Sequence, residues 1–254
     1  MRESFAAVLG VAALSLSASA FAADPTDLET KLTITIGGIE RTLSLEEAKA
    51  ALNIPSVSLA LIDRDSIAFA RAYGENATPN TLYQAASLSK IVAAVGAMRL
   101  VAQKKLTLDD DVNAKLTSWK VPTNGFDKAH PVTLRGLLSM TAGIGVPGFL
   151  GYAVDAPLPN LTQILYGVPP ANSPPITVIA EPGSKYAYSG GSYEIAEALM
   201  IDIAQAPFPD LLDRLVLKPA GMSNSTFAQP LPHERETQAV MGHFADGKEV
   251  LGGW

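Results

Sequence analysis

Two neighbouring stretches near the start of the chain, residues 57–62 and 66–72, are apolar runs with an alternating pattern. Arg64 and Asp65 separate them, and two alternating runs around a short polar break are typical of a β-hairpin. After this region the alternation ends, and apolar residues recur at the spacing of helices. The pattern therefore predicts strands early in the chain and mainly helices after them.

Start and stop signals refine the helix predictions. Ser44 and Glu47 have the spacing of a capping box, which predicts a helix that runs to about Asn53. Pro209 lies near the first turn of a later helix, and Pro219 follows its last turn. Together with composition and periodicity, these signals predict later helices over residues 88–103, 133–139, 194–204 and 208–217.

Two further segments are predicted from their turn residues. Residues 146–182 are rich in Pro and Gly, and a long irregular segment in a compact domain is typically a functional loop or a lid. We expect it to overhang a cleft and shape specificity, and a surface loop without a role is the alternative. Residues 238–244 and 248–251 flank Asp246-Gly247, which predicts a small hairpin.

Composition limits the class of protein. With 48% hydrophobic and 17% charged residues, the chain has the balance of a globular enzyme, and its net charge of −6 without a basic run argues against nucleic acid as a partner.

Residues 1–22 have the pattern of an export signal: Arg2, an apolar stretch, and small residues at Ala20 and Ala22. The apolar stretch is too short and too rich in Ala and Ser for a membrane anchor.

The domain organisation follows from that signal. We expect a signal peptide over residues 1–22 and a single domain over residues 23–254, in the periplasm or secreted, with no stable membrane insertion after cleavage. Because the chain has no cysteine, disulfides cannot contribute to its stability even in an oxidising compartment.

The candidate chemistry is carried by Ser87 and Lys90, at the start of the helix predicted over 88–103. Residues three apart lie on one helix face, so the Lys90 amine can reach the Ser87 hydroxyl, whereas Ser89 points elsewhere. A serine activated by a neighbouring base is a layout for acyl transfer, and N–H groups at a helix start can stabilise an oxyanion. The alternative is that Ser87 only caps the helix and Lys90 is solvated.

Other motifs are weaker. The acidic run 109–111 is predicted to cap a short helix rather than to bind a metal. Residues 143–148 match G-x-G-x-x-G, but the match follows a helix, contains proline and opens no helix, which argues against a dinucleotide site. Only three histidines and no G-x-S-x-G motif occur, which disfavours a Ser-His-Asp hydrolase. We therefore predict no cofactor and no metal.

Three motifs occur in the same order as in a known family: QAASLSK at 84–90, TLRGLLSMTAG at 133–143 and PGSKYAYSGGSY at 182–193. The chain from about residue 54 to its end resembles the serine β-lactamase-related family of class C β-lactamases, D-alanyl-D-alanine carboxypeptidases and family VIII esterases. The resemblance implies a β-lactamase/transpeptidase-like α/β (α+β) fold, in which an antiparallel sheet flanked by helices joins a mostly helical domain.

The resemblance also implies roles for individual residues. Ser87 matches the nucleophile and Lys90 the family's lysine, while Tyr188-Ser189-Gly190 matches the family's Tyr-x-Asn motif. Tyr188 would share proton transfer with Lys90, which requires positive charge near a phenol that is otherwise protonated at neutral pH. Ser189 and Gly190 would contribute to substrate binding.

Two positions depart from the family pattern. Gly190 stands where many members carry Asn, so an amide that would bond an acylamino substrate is missing, which favours an ester over a penicillin. Met140 stands where relatives often have His, which we interpret as a packing variation. Tyr186 and Tyr193 are read as packing residues.

The family's third motif, Lys-Thr-Gly or His-x-Gly, is missing after Gly191. We therefore expect a truncated domain whose sheet is incomplete and has an open edge, and which lacks one backbone donor of the oxyanion hole.

Two function classes follow. One is a serine hydrolase that acts through a Ser87 acyl-enzyme on a small-molecule ester, a β-lactam or a D-Ala-D-Ala, peptidoglycan-like substrate. The other is a non-catalytic relative or fragment that binds cell-wall-like ligands without turnover. The intact Ser87, Lys90 and Tyr188 favour the first, and the missing third motif favours the second.

Overall fold

A computed structural model gives the structure of the protein and describes residues 25–74, 76–126, 130–153 and 155–252. The expected signal segment, 1–22, lies outside these residues. The chain forms two compact units: the first consists of Met1–Tyr83 with Thr237–Trp254, and the second of Gln84–Glu236.

The described part of the first unit contains two short helices and two hairpins. The Ser44 hydroxyl accepts from the Glu47 N–H at the start of the second helix, and the Glu47 carboxylate accepts from the Ser44 N–H. The capping box is therefore confirmed. The elements are α1 (Pro25–Thr30), β1 (Leu32–Ile36), β2 (Ile39–Leu43), α2 (Leu45–Ala51), β3 (Ser56–Asp63) and β4 (Ser66–Gly74).

The predicted hairpin is β3 paired antiparallel with β4. Arg64 and Asp65 both have positive φ, 45° and 63°. A two-residue hairpin turn with positive φ at both central residues matches the twist of the strands that it joins. Ile62 and Ile67 beside the turn are each 70% exposed. Among the described residues neither strand pairs with a third, in agreement with the expectation of an incomplete sheet.

A second hairpin, β1–β2, is not among the predictions. Its strands alternate around Gly37 and Gly38, whose φ values of 59° and 80° allow the turn. It forms a sheet of its own, so the described residues contain two separate two-stranded sheets instead of one larger antiparallel sheet. The predicted strand pair over residues 238–251 is also only partly correct. One isolated bridge, His243 to Glu249, forms there, with hydrogen bonds from the Phe244 N–H to the Lys248 carbonyl and from the Val250 N–H to the Gly242 carbonyl.

The described second unit is mainly helical. The helix predicted over 133–139 is present with Thr133 as its cap, and the one predicted over 208–217 is an α-helix that continues as a π-helical turn. The helices are α3 (Ser89–Ala102), α4 (Leu134–Leu138), α5 (Leu161–Tyr166), α6 (Gly190–Ala204), α7 (Phe208–Leu212), the π-turn Asp213–Leu217, and α8 (His233–Glu236); Ala86–Leu88 and Val112–Ala114 are 3-10 turns.

The core of this unit lies between α3 and α6. Leu100 and Ile195 have no exposed surface. A Cβ on Gly96 would lie 2.6 Å from the Leu212 Cδ2, so glycine allows this part of α3 to approach its neighbours closely. Trp119 is 2% exposed and meets Tyr166 edge to face, which fits the packing role expected of it.

The Pro/Gly-rich segment 146–182 is more ordered than predicted. It contains α5, which Asn160 and Gln163 start with a capping box and Gly167 ends with a left-handed φ of 62°. A bridge between Ile144, two residues before the segment, and Val178 near its end brings the two ends of the segment together.

The acidic run has the predicted structural role, since the Asp111 side chain accepts from the Asn113 N–H at the start of a 3-10 turn. Across the described ranges there is no group of three or more His, Cys, Asp or Glu residues arranged to hold a metal ion. No helix in the described part of the chain is both long and apolar enough to cross a membrane.

Candidate active site

Ser87 lies in the 3-10 turn Ala86–Leu88, two residues before α3 begins. The N-cap position of α3 is Leu88, which makes no side-chain capping bond, so Ser87 does not cap this helix. Ala86 has a φ of 43°, a left-handed conformation that non-glycine residues rarely adopt and that often marks functional sites. The local backbone therefore leaves the Ser87 hydroxyl available for other partners.

Those partners are Lys90 and Tyr188. The Lys90 Nζ donates to the Ser87 Oγ at 3.1 Å, and the Tyr188 hydroxyl donates to the same oxygen at 2.6 Å. Lys90 reaches Ser87 because the two residues are one helical turn apart, whereas Tyr188 comes from the start of α6. The structure thus brings together the three side chains singled out in the sequence, within the second unit.

Two tyrosine rings flank the Lys90 ammonium. Its Nζ lies 5.2 Å from the centre of the Tyr188 ring and 5.6 Å from that of Tyr193, distances at which a cation is attracted to an aromatic face. The Tyr193 hydroxyl donates to the Leu138 carbonyl at 3.2 Å, which fixes this ring. The sequence predicts only a packing role for Tyr193 and not this contact, although Tyr193 lies five residues after Tyr188.

The two tyrosines have opposite electrostatic surroundings. The pKa of Tyr188 is lowered, first because its phenolate is favoured by hydrogen bonds with Ser87 and Lys90, and also by the Lys90 charge; burial opposes this shift. Burial raises the pKa of Tyr193. Tyr188 is therefore the tyrosine suited to lose a proton.

The backbone around Tyr188 is held by two segments. The Ala187 N–H donates to the Met140 carbonyl at 3.0 Å. Beyond Tyr188, the Gly190 N–H donates to the Pro147 carbonyl and the Gly191 N–H to the Val146 carbonyl, both at 3.0 Å. The start of the Pro/Gly-rich segment therefore fixes the turn that places Tyr188.

The substrate-binding role predicted for Ser189 and Gly190 stays a prediction, and the structure shows the surroundings of both residues. Ser189 is 1% exposed, and its hydroxyl accepts from the Ser192 N–H and donates to the Gly145 carbonyl at 2.8 Å. Gly190 is buried as well. The Ser189 side chain caps α6 and is not available to a substrate in this arrangement.

Two carboxyl groups of α6 were not anticipated from the sequence. Glu194 and Glu197 are partly buried, and burial raises the pKa of Glu194 to about 7, against the opposing effect of the Lys90 charge. Burial and the neighbouring Glu194 raise the pKa of Glu197 to about 8. The sequence signal was available, because the two residues are one turn apart in a helix that is otherwise mostly apolar.

The fold and this Ser-Lys-Tyr cluster define a protein with the β-lactamase/transpeptidase-like fold, mixed α/β with small antiparallel sheets. A family model described as Beta-lactamase matches residues 44–253. The chain belongs to the Beta-lactamase family.

Its relatives are distant. Protein flp of Staphylococcus aureus is 23% identical over 210 residues, which cover 79% of this chain and 39% of flp. The chain thus spans about two fifths of the length of this curated relative.

Solved structures show the same fold. The β-lactamase/D-alanine carboxypeptidase of Yersinia pestis, solved with citrate, has a TM-score of 0.63 at 22% identity, covering 82% of this chain and 58% of its own. EstCE1, a hydrolase with promiscuous acyltransferase activity, has a TM-score of 0.56 at 26% identity, covering 69% of this chain and 49% of its own.

Proposed function

We propose that the protein is a serine hydrolase that forms an acyl-enzyme on Ser87 and acts first of all on carboxylic esters. The observation that carries the proposal is the shared contact of Lys90 and Tyr188 on the Ser87 Oγ, at 3.1 and 2.6 Å. A serine hydroxyl with a titratable partner at hydrogen-bond distance, itself oriented by a third group, is the arrangement that nucleophilic catalysis needs.

The reaction begins with Tyr188 in its phenolate form. Tyr188 takes the Ser87 proton while the Ser87 Oγ forms a bond to the substrate carbonyl carbon. Tyr188 then gives this proton to the departing alkoxide as the carbon–oxygen bond of the ester breaks. Water attacks the acyl-enzyme in the second half, with Tyr188 again as the base and the Ser87 oxygen as the leaving group.

Lys90 favours this proton transfer by its charge and its hydrogen bond. Its positive charge and its hydrogen bond lower the pKa of Tyr188, so the phenolate is accessible at a lower pH than that of an isolated phenol. The Ser87 backbone N–H at the helix start is the donor we assign to the developing oxyanion.

The substrate class is supported by the second motif, and the hydrolase class by a relative. An ester substrate needs no amide at position 190, where this chain has glycine. EstCE1, whose name describes it as a hydrolase with acyltransferase activity, is 26% identical. A β-lactam and a D-Ala-D-Ala-like peptide are the next substrates we propose, as the Yersinia pestis relative is described as a β-lactamase/D-alanine carboxypeptidase.

A second candidate is a protein that binds cell-wall-like ligands without turnover. The observation that favours it is the absence from the sequence of a Lys-Thr-Gly or His-x-Gly triplet after Gly191. In this case Ser87 would be positioned but not activated.

One experiment separates the two candidates. The purified chain is exposed to a fluorophosphonate, which reacts only with an activated serine, and its intact mass is measured. We expect one adduct, lost in Ser87→Ala and retained in Ser89→Ala, a matched serine two residues away. A folded protein without an adduct would overturn the hydrolase proposal and leave the binding protein, to be tested with a fluorescent penicillin.

We also propose that the protein is exported to the periplasm or secreted. The support is the pattern of residues 1–22, with small residues before the expected cleavage point. Expression of the full chain in a bacterium should yield a mature species that begins at Ala23 in the periplasmic or medium fraction. An uncleaved chain in the cytoplasm would contradict this proposal.

A further inference from the structure

The turn after Tyr188 determines which residues face Ser87. Ser189 is extended, with φ −144° and ψ 115°, and in extended backbone alternate residues point to the same side. Tyr188 points to Ser87, whereas Ser189 points inward to the Gly145 carbonyl. A side chain at position 190 would therefore project to the side on which Tyr188 meets Ser87.

Phe149 occupies that place. A Cβ built on Gly190 would lie 3.1 Å from the Phe149 Cε2, 3.3 Å from the Pro147 carbonyl oxygen and 3.4 Å from the Gly148 Cα. The Gly190 N–H donates to the Pro147 carbonyl, so the segment that carries Phe149 is bonded to this turn. Phe149 is partly buried and packs against the core of the second unit, which fixes its ring.

We propose that Phe149 is a specificity-determining residue, whose ring forms an apolar wall beside Ser87 and selects esters of apolar acyl groups over esters whose acyl group carries an amide. This inference rests on the proposed function and names the substrate class of the same site. It also gives the Pro/Gly-rich segment a role, because Phe149 belongs to it.

The selection has a physical reason. An acyl amide placed against an aromatic ring loses hydrogen bonds to water, and the ring offers neither an N–H donor nor an oxygen acceptor in return. An alkyl chain of the same length gains from being removed from water at the same place.

The test compares two p-nitrophenyl esters of equal acyl chain length, the pentanoate and the N-acetylglycinate. For the wild-type chain we expect kcat/KM for the pentanoate to exceed that for the N-acetylglycinate by about tenfold or more, the scale on which an unpaired amide is rejected. In Phe149→Ala this ratio should fall to about twofold or less, mainly through slower turnover of the pentanoate.

Two further variants make the result specific. Leu150→Ala removes a neighbouring apolar side chain that is 94% exposed, and it should leave the ratio within about twofold of the wild-type value. If Phe149→Ala does not fold, Phe149→Leu keeps an apolar wall of smaller size and should preserve the preference while shifting the best acyl chain length upward.

The double variant Phe149→Ala with Gly190→Asn adds an amide where the ring has been removed. It should reverse the preference towards the N-acetylglycinate. An unchanged ratio in a Phe149→Ala protein that the fluorophosphonate still labels would overturn the role of Phe149 alone. If Phe149→Ala does not fold, an unchanged best acyl chain length in labelled Phe149→Leu would do the same. An unlabelled and inactive wild-type chain would instead overturn the proposed function, and this inference with it.

Discussion

Ser87 and Ser189 both stand at the start of a helix, yet their side chains have opposite surroundings. Ser189 is 1% exposed and uses its hydroxyl to cap α6 and to bond the Gly145 carbonyl. Ser87 is exposed, caps nothing, and has its oxygen held by Lys90 and Tyr188. The comparison shows that a serine at a helix start becomes a candidate nucleophile when the backbone leaves its hydroxyl out of the capping position.

The largest difference should appear on removing the Ser87 hydroxyl. We expect Ser87→Ala to lower kcat/KM for p-nitrophenyl esters by about 10⁴-fold or more, because the nucleophile is lost. The unfolding free energy should change by no more than about 0.5 kcal/mol, as expected for an exposed side chain that caps no helix. Ester kinetics and urea unfolding measure the two effects. If ester hydrolysis survives in Ser87→Ala, Ser87 is not the nucleophile, and the two serines do not differ in this respect.

The next effect concerns the partner that distinguishes Ser87 from Ser189. Tyr188→Phe removes the hydroxyl 2.6 Å from the Ser87 Oγ, and we expect kcat to fall by about 10²–10⁴-fold, the usual contribution of a proton-transfer group. Tyr186→Phe is the matched control, because Tyr186 is exposed and its hydroxyl donates to the Met140 sulfur. Equal losses of kcat in Tyr188→Phe and Tyr186→Phe would show that the Tyr188 hydroxyl has no specific role in the reaction.

The third effect tests whether Glu197, on the helix α6 that Ser189 caps, titrates in a buried environment. Burial and Glu194 raise the pKa of Glu197 to about 8, so folded protein binds a proton that unfolded protein lacks between about pH 4.5 and that value. Stability should therefore fall as pH rises through this window. In Glu197→Gln the fall should be smaller by on the order of 3 kcal/mol between about pH 5 and about pH 9.

Thermal unfolding at several pH values measures this slope. Glu234→Gln, at an exposed glutamate, is the control and should follow the wild-type curve. A slope that is identical in wild type and Glu197→Gln would mean that this carboxyl does not titrate in a buried environment.

The smallest effect is that of Ser189 itself. Ser189→Ala removes a helix cap and leaves the Ser192 N–H without its acceptor, which should cost about 1–2 kcal/mol of unfolding free energy. The folded variant should still be labelled by the fluorophosphonate. Ser223→Ala, at an exposed serine, should leave stability unchanged within about 0.5 kcal/mol. If Ser189→Ala loses labelling while its stability is unchanged, Ser189 contributes to the active site and not to the helix cap.

The sequence predicted the parts of the site that depend on local spacing. Lys90 follows Ser87 by one helical turn, so their contact follows from helix geometry alone. Tyr188 is 101 residues from Ser87, and only the family resemblance connected the two. Ser189 is the single extended residue between Tyr188 and α6, and this conformation directs its side chain inward. No periodicity in the sequence reveals it.

The fold shows the same limit. The β3–β4 hairpin, the capping box of α2 and the helix α4 were predicted, because their signals are local. The β1–β2 hairpin was missed although its strands alternate around Gly37-Gly38. The contact of Phe149 with Gly190 joins a proline-rich segment to a distant helix start, and it depends on tertiary packing that sequence patterns do not report.

The two rings around Lys90 also have a spectroscopic consequence. A phenolate absorbs ultraviolet light at a longer wavelength than a phenol, and of the two tyrosines only Tyr188 has a lowered pKa. Acylation of Ser87 would remove the hydroxyl hydrogen bond that helps to lower it. The pH at which the absorbance of Tyr188 changes should therefore rise when the serine is occupied, so that an ultraviolet titration of the unlabelled chain reports acylation.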